Sequence, residues 1–206
     1  MMRIKVIQKI IDVIRNKSFY HKIHGKNNYI NNKSKTKTKI IIYGDNNKVI
    51  IGSNVHNNAD GIYIGAWDHK TNNCTVIIGD NTTSIQSSIR LMEDNSTVEI
   101  GKNCLISRNV EIECTDHHSI YDISTKKLIN KGKTIKIGEH VWICRDVIVC
   151  KNTSIPNDCV VGARAVVTKE FEEPNCIITG IPAKIVKKDI NWLEVRPTVY
   201  EKDTKI

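Results

Sequence analysis

Two adjacent histidines stand in the segment Thr115-Asp116-His117-His118-Ser119-Ile120-Tyr121-Asp122. Neutral imidazole is the side chain best suited to take a proton near neutral pH, and a nearby carboxylate or carbonyl can fix which ring nitrogen carries the hydrogen. On residue type alone, either histidine is equally a catalytic base or a solvated loop residue. Asp116 is a candidate orienter, with loop capping as its plainer role. The seven cysteines, Cys74, Cys104, Cys114, Cys144, Cys150, Cys159 and Cys176, include no C-x-x-C pair of the kind that clamps zinc. They read as reduced, small apolar residues of a cytosolic protein.

Chemistry on a loop needs a rigid frame, and the chain carries one from about residue 40. Ile137, Ile143, Val149, Ile155, Val161 and Val167 follow one another at a spacing of six. Four residues after each of the first five come Val141, Val147, Thr153, Cys159 and Ala165, all small or β-branched. The repeat is aliphatic, small, x, x, small, x. The same frame holds at Ile100, Ile106 and Ile112, with looser copies at Ile51-Gly52 and Ile78-Gly79. A period of six fits neither the 3.6 of an α-helix nor the strict alternation of a hairpin sheet. It fits a coil of three flat faces, in which each hexad makes one short strand and one corner and about 18 residues complete a turn. Stacked turns then pair strand on strand in parallel around an aliphatic interior. The frame breaks once, over residues 114–134, which are polar and out of register before Ile135 and Ile137 resume it. A loop thrown out of a rigid coil is a natural place for chemistry.

The 206 residues, 40% apolar and 5% aromatic, allow one domain with a sizeable core. Residues 1–40 hold eleven Lys or Arg and one Asp, a net +10, so the rest of this +9 chain is close to neutral at −1. No apolar run approaches the roughly 20 residues needed to cross a bilayer, which excludes transmembrane and signal-peptide readings. Ile4, Ile7, Ile10, Ile11, Ile14 and Phe19 fall on a helical period among Lys, Arg and Gln, so residues 3–23 read as a short basic amphipathic helix or two. Such a helix packs on the main domain or meets an anionic polymer or membrane surface. Residues 25–39, rich in Asn, Lys, Ser and Thr, read as a linker. The expected organisation is a basic N-terminal segment and linker over 1–39, a β-coil domain over 40–188 with its inserted loop, and a tail over 189–206. The abundance of Ile, Lys and Asn reads as the codon bias of an AT-rich genome.

The segments TDHHSIYD, INKGKTIKIGEHVWI, VVGARAVVTKEF and EPNCIITGIPAKIVKK resemble successive signatures of the hexapeptide-repeat acetyltransferases, whose coil is a left-handed parallel β-helix. They are similar in particular to the branch that O-acetylates sialic acid in bacterial capsules. The resemblance covers about residues 98–190. It implies a mainly β fold and acetyl transfer from acetyl-CoA to a glycan hydroxyl, with no metal and no covalent acyl-enzyme. It puts the catalytic histidine on His118, since the pattern is Asp, any residue, His, then a small residue and Ile. It puts Trp142 beside the thioester, where an indole N–H can donate and the ring excludes water. It suggests Arg145 and Ala163, one turn of the coil apart, for the pantetheine arm, then Thr168, Lys169, Lys184 and Lys187 toward the phosphates. The family commonly has Gly where Cys144 stands. Gly180, Pro182 and Ala183 match the turn that sends the chain out of the coil. The resemblance also implies a homotrimer with active sites between subunits and a sialylated or polyanionic acceptor rather than nucleic acid, and the cysteines and basic front together read as a cytoplasmic or membrane-peripheral location.

The same chemistry would also serve another acceptor, such as another polysaccharide or lipopolysaccharide sugar or an amino sugar nucleotide, and two other classes share such a coil. A zinc enzyme like the γ-type carbonic anhydrases would need three converging histidines, for which His117, His118 and His140 are available in a different frame. A non-catalytic scaffold would predict no effect of His118→Ala beyond that of a surface substitution.

Overall fold

A computed structural model describes residues 21–34, 36, 38–57 and 61–204. Three sheets follow one another around a coil. The first runs through seven strands from His21–His24 to Val166–Val167, the second through six from Tyr29–Asn32 to Thr153–Ile155, and the third through seven from His56–Asn57 to Ala183–Lys187. Every pairing is parallel except the last, where Ile177–Gly180 turns back antiparallel on Ala183–Lys187 through the Gly180-Ile181-Pro182 turn. Ile135 faces Thr153, Trp142 faces Val160 and Ile148 faces Val166, so successive coils there repeat at the period that the hexads require. The fold is the left-handed parallel β-helix expected from the repeat and the resemblance.

The hexad positions behave as their side chains dictate. Ile137, Ile143, Val149, Ile155, Val161 and Val167 are all at most 2% exposed, and Val141, Val147, Thr153, Cys159 and Ala165 are equally buried. Corners are the costly part of such a coil, because each needs a residue of left-handed backbone. His140, Asp146, Asn152, Asp158 and Arg164 take it at regular intervals of one hexad, with φ of 52–62°. Asparagine adopts this conformation more readily than most residues. Among the described residues it does so at ten positions, from Asn27 to Asn175. Their amides also join coil to coil: Asn54 Nδ2 donates to Asn81 Oδ1 and Asn81 Nδ2 to Asn103 Oδ1, both at 3.2 Å. The asparagine content, put down to genome bias above, thus has a structural use.

Two boundaries differ from expectation. The stretch 25–39 contains strand Tyr29–Asn32, paired with Lys48–Ile51, and the coil starts by His21 rather than near residue 40. Polar residues suffice there because their side chains stand in for backbone partners: Asn28 Oδ1 accepts from Asn47 N at 2.9 Å, and Asn28 Nδ2 donates to Gly44 O at 2.9 Å. The helix expected over 3–23 lies outside the described residues except at its end, where residues 21–23 are strand. The early coils are also longer than the hexads alone would make them. Val49 faces Val76, well beyond the regular period, because the chain makes an extra turn after Gly61–Ile64. Among the described residues no helix is long and apolar enough to cross a membrane.

Candidate active site

Strand Val110–Glu113 ends at the corner where the first sheet passes to the second, residues 114–133 leave the coil, and Thr134–Ile137 resumes it. The excursion is a hairpin: Ile129 N donates to Ile120 O at 2.9 Å, and Tyr121 bridges Leu128. Its tip is capped by Asp122, which accepts from the Ser124 hydroxyl and from the Thr125 amide and hydroxyl. These bonds hold its carboxyl down at about 2. At the root, an open cleft of about 370 Å³ is lined by His69, Glu93, Thr115, His117, His118 and Asn130.

The cleft separates the two histidines that residue type leaves equivalent. His117 sits in left-handed backbone at φ 62°, its N–H donates to Thr115 Oγ1 at 2.9 Å, and its Nε2 lies 3.5 Å from Glu113 Oε2. Glu113 is in turn ion-paired to Arg90. The ring of His117 is thus turned to a structural carboxylate. His118 is exposed, and its ring makes no hydrogen bond among the described residues. Only its backbone is held: its N–H donates to Asp116 O at 2.7 Å and its carbonyl accepts from Asn130 Nδ2 at 2.8 Å.

Asp116 does not orient either ring. Its carboxylate pairs with Lys151 of the coil beneath and accepts from Asn130 Nδ2 at 2.9 Å. Burial alone would raise the Asp116 carboxyl, but the bonds from Lys151 and Asn130 outweigh it and hold the group below its ordinary value. Glu93 goes the other way: burial raises its carboxyl even though Thr115 Oγ1 donates to it at 3.0 Å. Burial also pushes the Cys114 thiol, at the loop root, up to about 12, and raises Cys144 and Cys150. Thiols so protonated make poor nucleophiles.

The remaining sequence-predicted residues lie elsewhere on the coil. Trp142 is half-buried on the third sheet, and its ring meets Trp192 at 5.9 Å with a 44° tilt. Trp192 stacks on His140 at 4.3 Å and donates from Nε1 to His140 O at 2.9 Å, while His140 Nδ1 pairs with Asp158 Oδ1 at 2.8 Å. Arg145 and Ala163 occupy the corner from third sheet to first, one coil apart, with Arg164 N donating to Arg145 O at 3.0 Å. Thr168 and Lys169 follow Val166–Val167 on the same corner of the coil as the loop. Lys184 and Lys187 stand exposed on the last strand. Within one chain, then, His118 is at one corner while Trp142, Arg145 and Ala163 lie along another face and corner. His118 and His140 likewise do not converge in one chain. Sequence reasoning missed Asn130, Lys151, Glu93, the His69 turn and Trp192. Of these only Trp192, the one tryptophan of a polar tail, carried a signal.

The repeating coil, with one loop thrown out at a histidine, defines a hexapeptide-repeat protein. No model of a known protein family matches the chain. Among curated proteins it is 36% identical over 171 residues to the polysialic acid O-acetyltransferase of Neisseria meningitidis, covering 75% of this chain and 79% of that one. It is 37% identical over 122 residues to the polysialic acid O-acetyltransferase of Escherichia coli O1:K1, covering 59% of this chain but only 39% of the relative's length. Among solved structures, the polysialic acid O-acetyltransferase OatWY superposes with a TM-score of 0.70 at 36% identity, over 89% of this chain and 97% of that one. The polySia-specific acetyltransferase NeuO gives 0.67 at 28% identity, over 92% and 99%. The chain belongs to the hexapeptide-repeat acetyltransferases, in the family of the polysialic acid O-acetyltransferases.

Proposed function

We propose that this chain transfers acetyl from acetyl-CoA to a hydroxyl of a sialylated bacterial surface glycan, with His118 as general base. The observation that carries this reading is the free, exposed ring of His118 on a cleft whose other histidines are engaged, His117 lying 3.5 Å from Glu113 and His69 Nε2 lying 3.1 Å from Met92 O. His118 takes the proton of the acceptor hydroxyl as that oxygen attacks the thioester carbonyl carbon. The tetrahedral intermediate collapses by breaking the C–S bond, and the proton passes from His118 to the departing thiolate of coenzyme A. Trp142 shields the thioester, main-chain groups near Arg145 and Ala163 hold the pantetheine amides, and Thr168, Lys169, Lys184 and Lys187 receive the polar end of the donor. Corner positions this far apart in one chain suit a homotrimer in which one subunit's His118 meets its neighbour's Trp142 face.

An anionic acceptor is supported by Lys70 and Lys131 on the cleft, with the basic front of the chain enriching a polyanion locally. Seven free cysteines suit a reducing cytoplasm, where acetyl-CoA is made. Thiol release from acetyl-CoA, compared for polysialic acid, free sialic acid and maltose, tests the acceptor. Turnover with the sialylated acceptors alone is expected. Turnover with maltose alone would overturn the acceptor reading while leaving the chemistry.

A further inference from the structure

We infer that Asn130 is the positioning residue of His118, an inference that rests on the proposed role of that histidine. The imidazole has no hydrogen-bond partner of its own among the described residues, so its placement depends wholly on the backbone of residues 116–120. One side chain grips that backbone at three points. Asn130 Nδ2 donates to His118 O at 2.8 Å and to Asp116 Oδ2 at 2.9 Å, and Asn130 Oδ1 accepts from Ile120 N at 2.8 Å. Both amide hydrogens and one lone pair are in use, nearly the full capacity of the group.

The grip is tied to the rigid coil at the far side. Asp116 is ion-paired to Lys151, which follows strand Ile148–Cys150 one coil below the loop root. Asn130 itself stands where the hairpin rejoins the coil, two residues before Gly132. A Cβ there would lie 2.5 Å from Cys114 O, so the two strands of the root approach closely. Lys151, Asp116 and Asn130 form a bracket from coil to loop, and the His118 carbonyl hangs on its end.

Aspartate, serine and alanine cannot do all three tasks. Aspartate keeps the acceptor for Ile120 N but loses both donors and sets a second carboxylate against Asp116. Serine and alanine are too short to span 116 to 120. A base held loosely loses rate steeply, since a shift of about 1 Å costs on the order of 10²-fold. Asn130 bonds none of the residues assigned to coenzyme A, so binding of the donor should not feel the change.

The test is Asn130→Asp and Asn130→Ser in the full chain, assayed by thiol release with acetyl-CoA and polysialic acid, alongside the Kd of coenzyme A and the thermal midpoint. The expected result is a kcat lower by on the order of 10²-fold in both variants, with coenzyme A affinity within about twofold and the midpoint within roughly 4 °C. Unchanged kcat in both variants would overturn the inference. So would a loss of coenzyme A affinity and midpoint in proportion to kcat, since that would make Asn130 a general structural residue. His118→Ala in the same assay keeps the two claims apart. Wild-type turnover there refutes the base, whereas its collapse with active Asn130 variants refutes the positioning alone.

Discussion

Trp192→Ala should release the C-terminal tail without unfolding the coil. Trp192 is 9% exposed in a segment whose neighbours Asn191, Leu193, Glu194, Val195 and Arg196 face solvent. The substitution removes an indole hydrogen bond to His140 O, worth about 1 kcal/mol. It also removes the His140 stack, worth about 0.5–1.5 kcal/mol. With the buried ring surface added, a loss of about 3 kcal/mol, at the low end for a buried Trp, is reasonable. Since about 1.4 kcal/mol is a factor of ten, the tail's opening equilibrium rises on the order of 10²-fold. Native-state hydrogen exchange reads this directly. The Ile190 amide, bonded to Asn175 O at 2.9 Å, reports on the tail, and the Trp142 amide, bonded to Cys159 O at 2.9 Å, reports on the coil. Faster exchange at Ile190 with Trp142 unchanged is expected. Unchanged exchange at Ile190, or equal acceleration at both, would refute the reasoning, because the tail would then be either not latched by Trp192 or not separable from the coil.

Other perturbations follow from the same geometry. Gly101→Ala puts a Cβ 2.4 Å from Gly138 O, where backbone must move. Overpacking of this kind costs about 2 kcal/mol, which should lower the thermal midpoint by roughly 4–8 °C in a scan. The Asp116 carboxyl is held below its ordinary 3.8, so its pairing with Lys151 supports the loop above that value and is lost as pH falls through the lowered one. Exchange protection of residues 116–130 should therefore drop below about pH 3.8 in the wild type and lose that pH dependence in Asp116→Asn. Deleting residues 1–20, which stops short of the first strand at His21, removes five cations and one acid. It should raise KM for polysialic acid by roughly tenfold at low salt and leave a neutral acceptor unaffected. An equal change for both acceptors would remove the role given to the basic front.

The coil was legible because hexads 137–167 repeat their interior residue without a slip, and burial alone enforces such a pattern. The first coil was not, since strand Tyr29–Asn32 has a single aliphatic residue and the Asn28 side chain beside it bonds the backbone of Gly44 and Asn47. The inserted loop was legible as a break in frame. Its bracket was not, because Asn130 meets Asp116, His118 and Ile120 only after the hairpin between them has closed. Trp192 meets His140 across 52 residues of sequence, a contact that no local pattern announces. The choice between His117 and His118 came from the resemblance. The structure adds a difference between them, since the ring of His117 lies 3.5 Å from the Glu113 carboxylate while that of His118 makes no hydrogen bond among the described residues.

The central claim is that His118 moves the acceptor's proton. The most direct measurement is steady-state thiol release from acetyl-CoA with polysialic acid, wild type against His118→Ala, with coenzyme A affinity measured on both. Loss of the base should cut kcat by roughly 10²–10⁴-fold and leave that affinity intact. Turnover within a factor of about two of wild type would contradict the account, as only a surface substitution behaves that way.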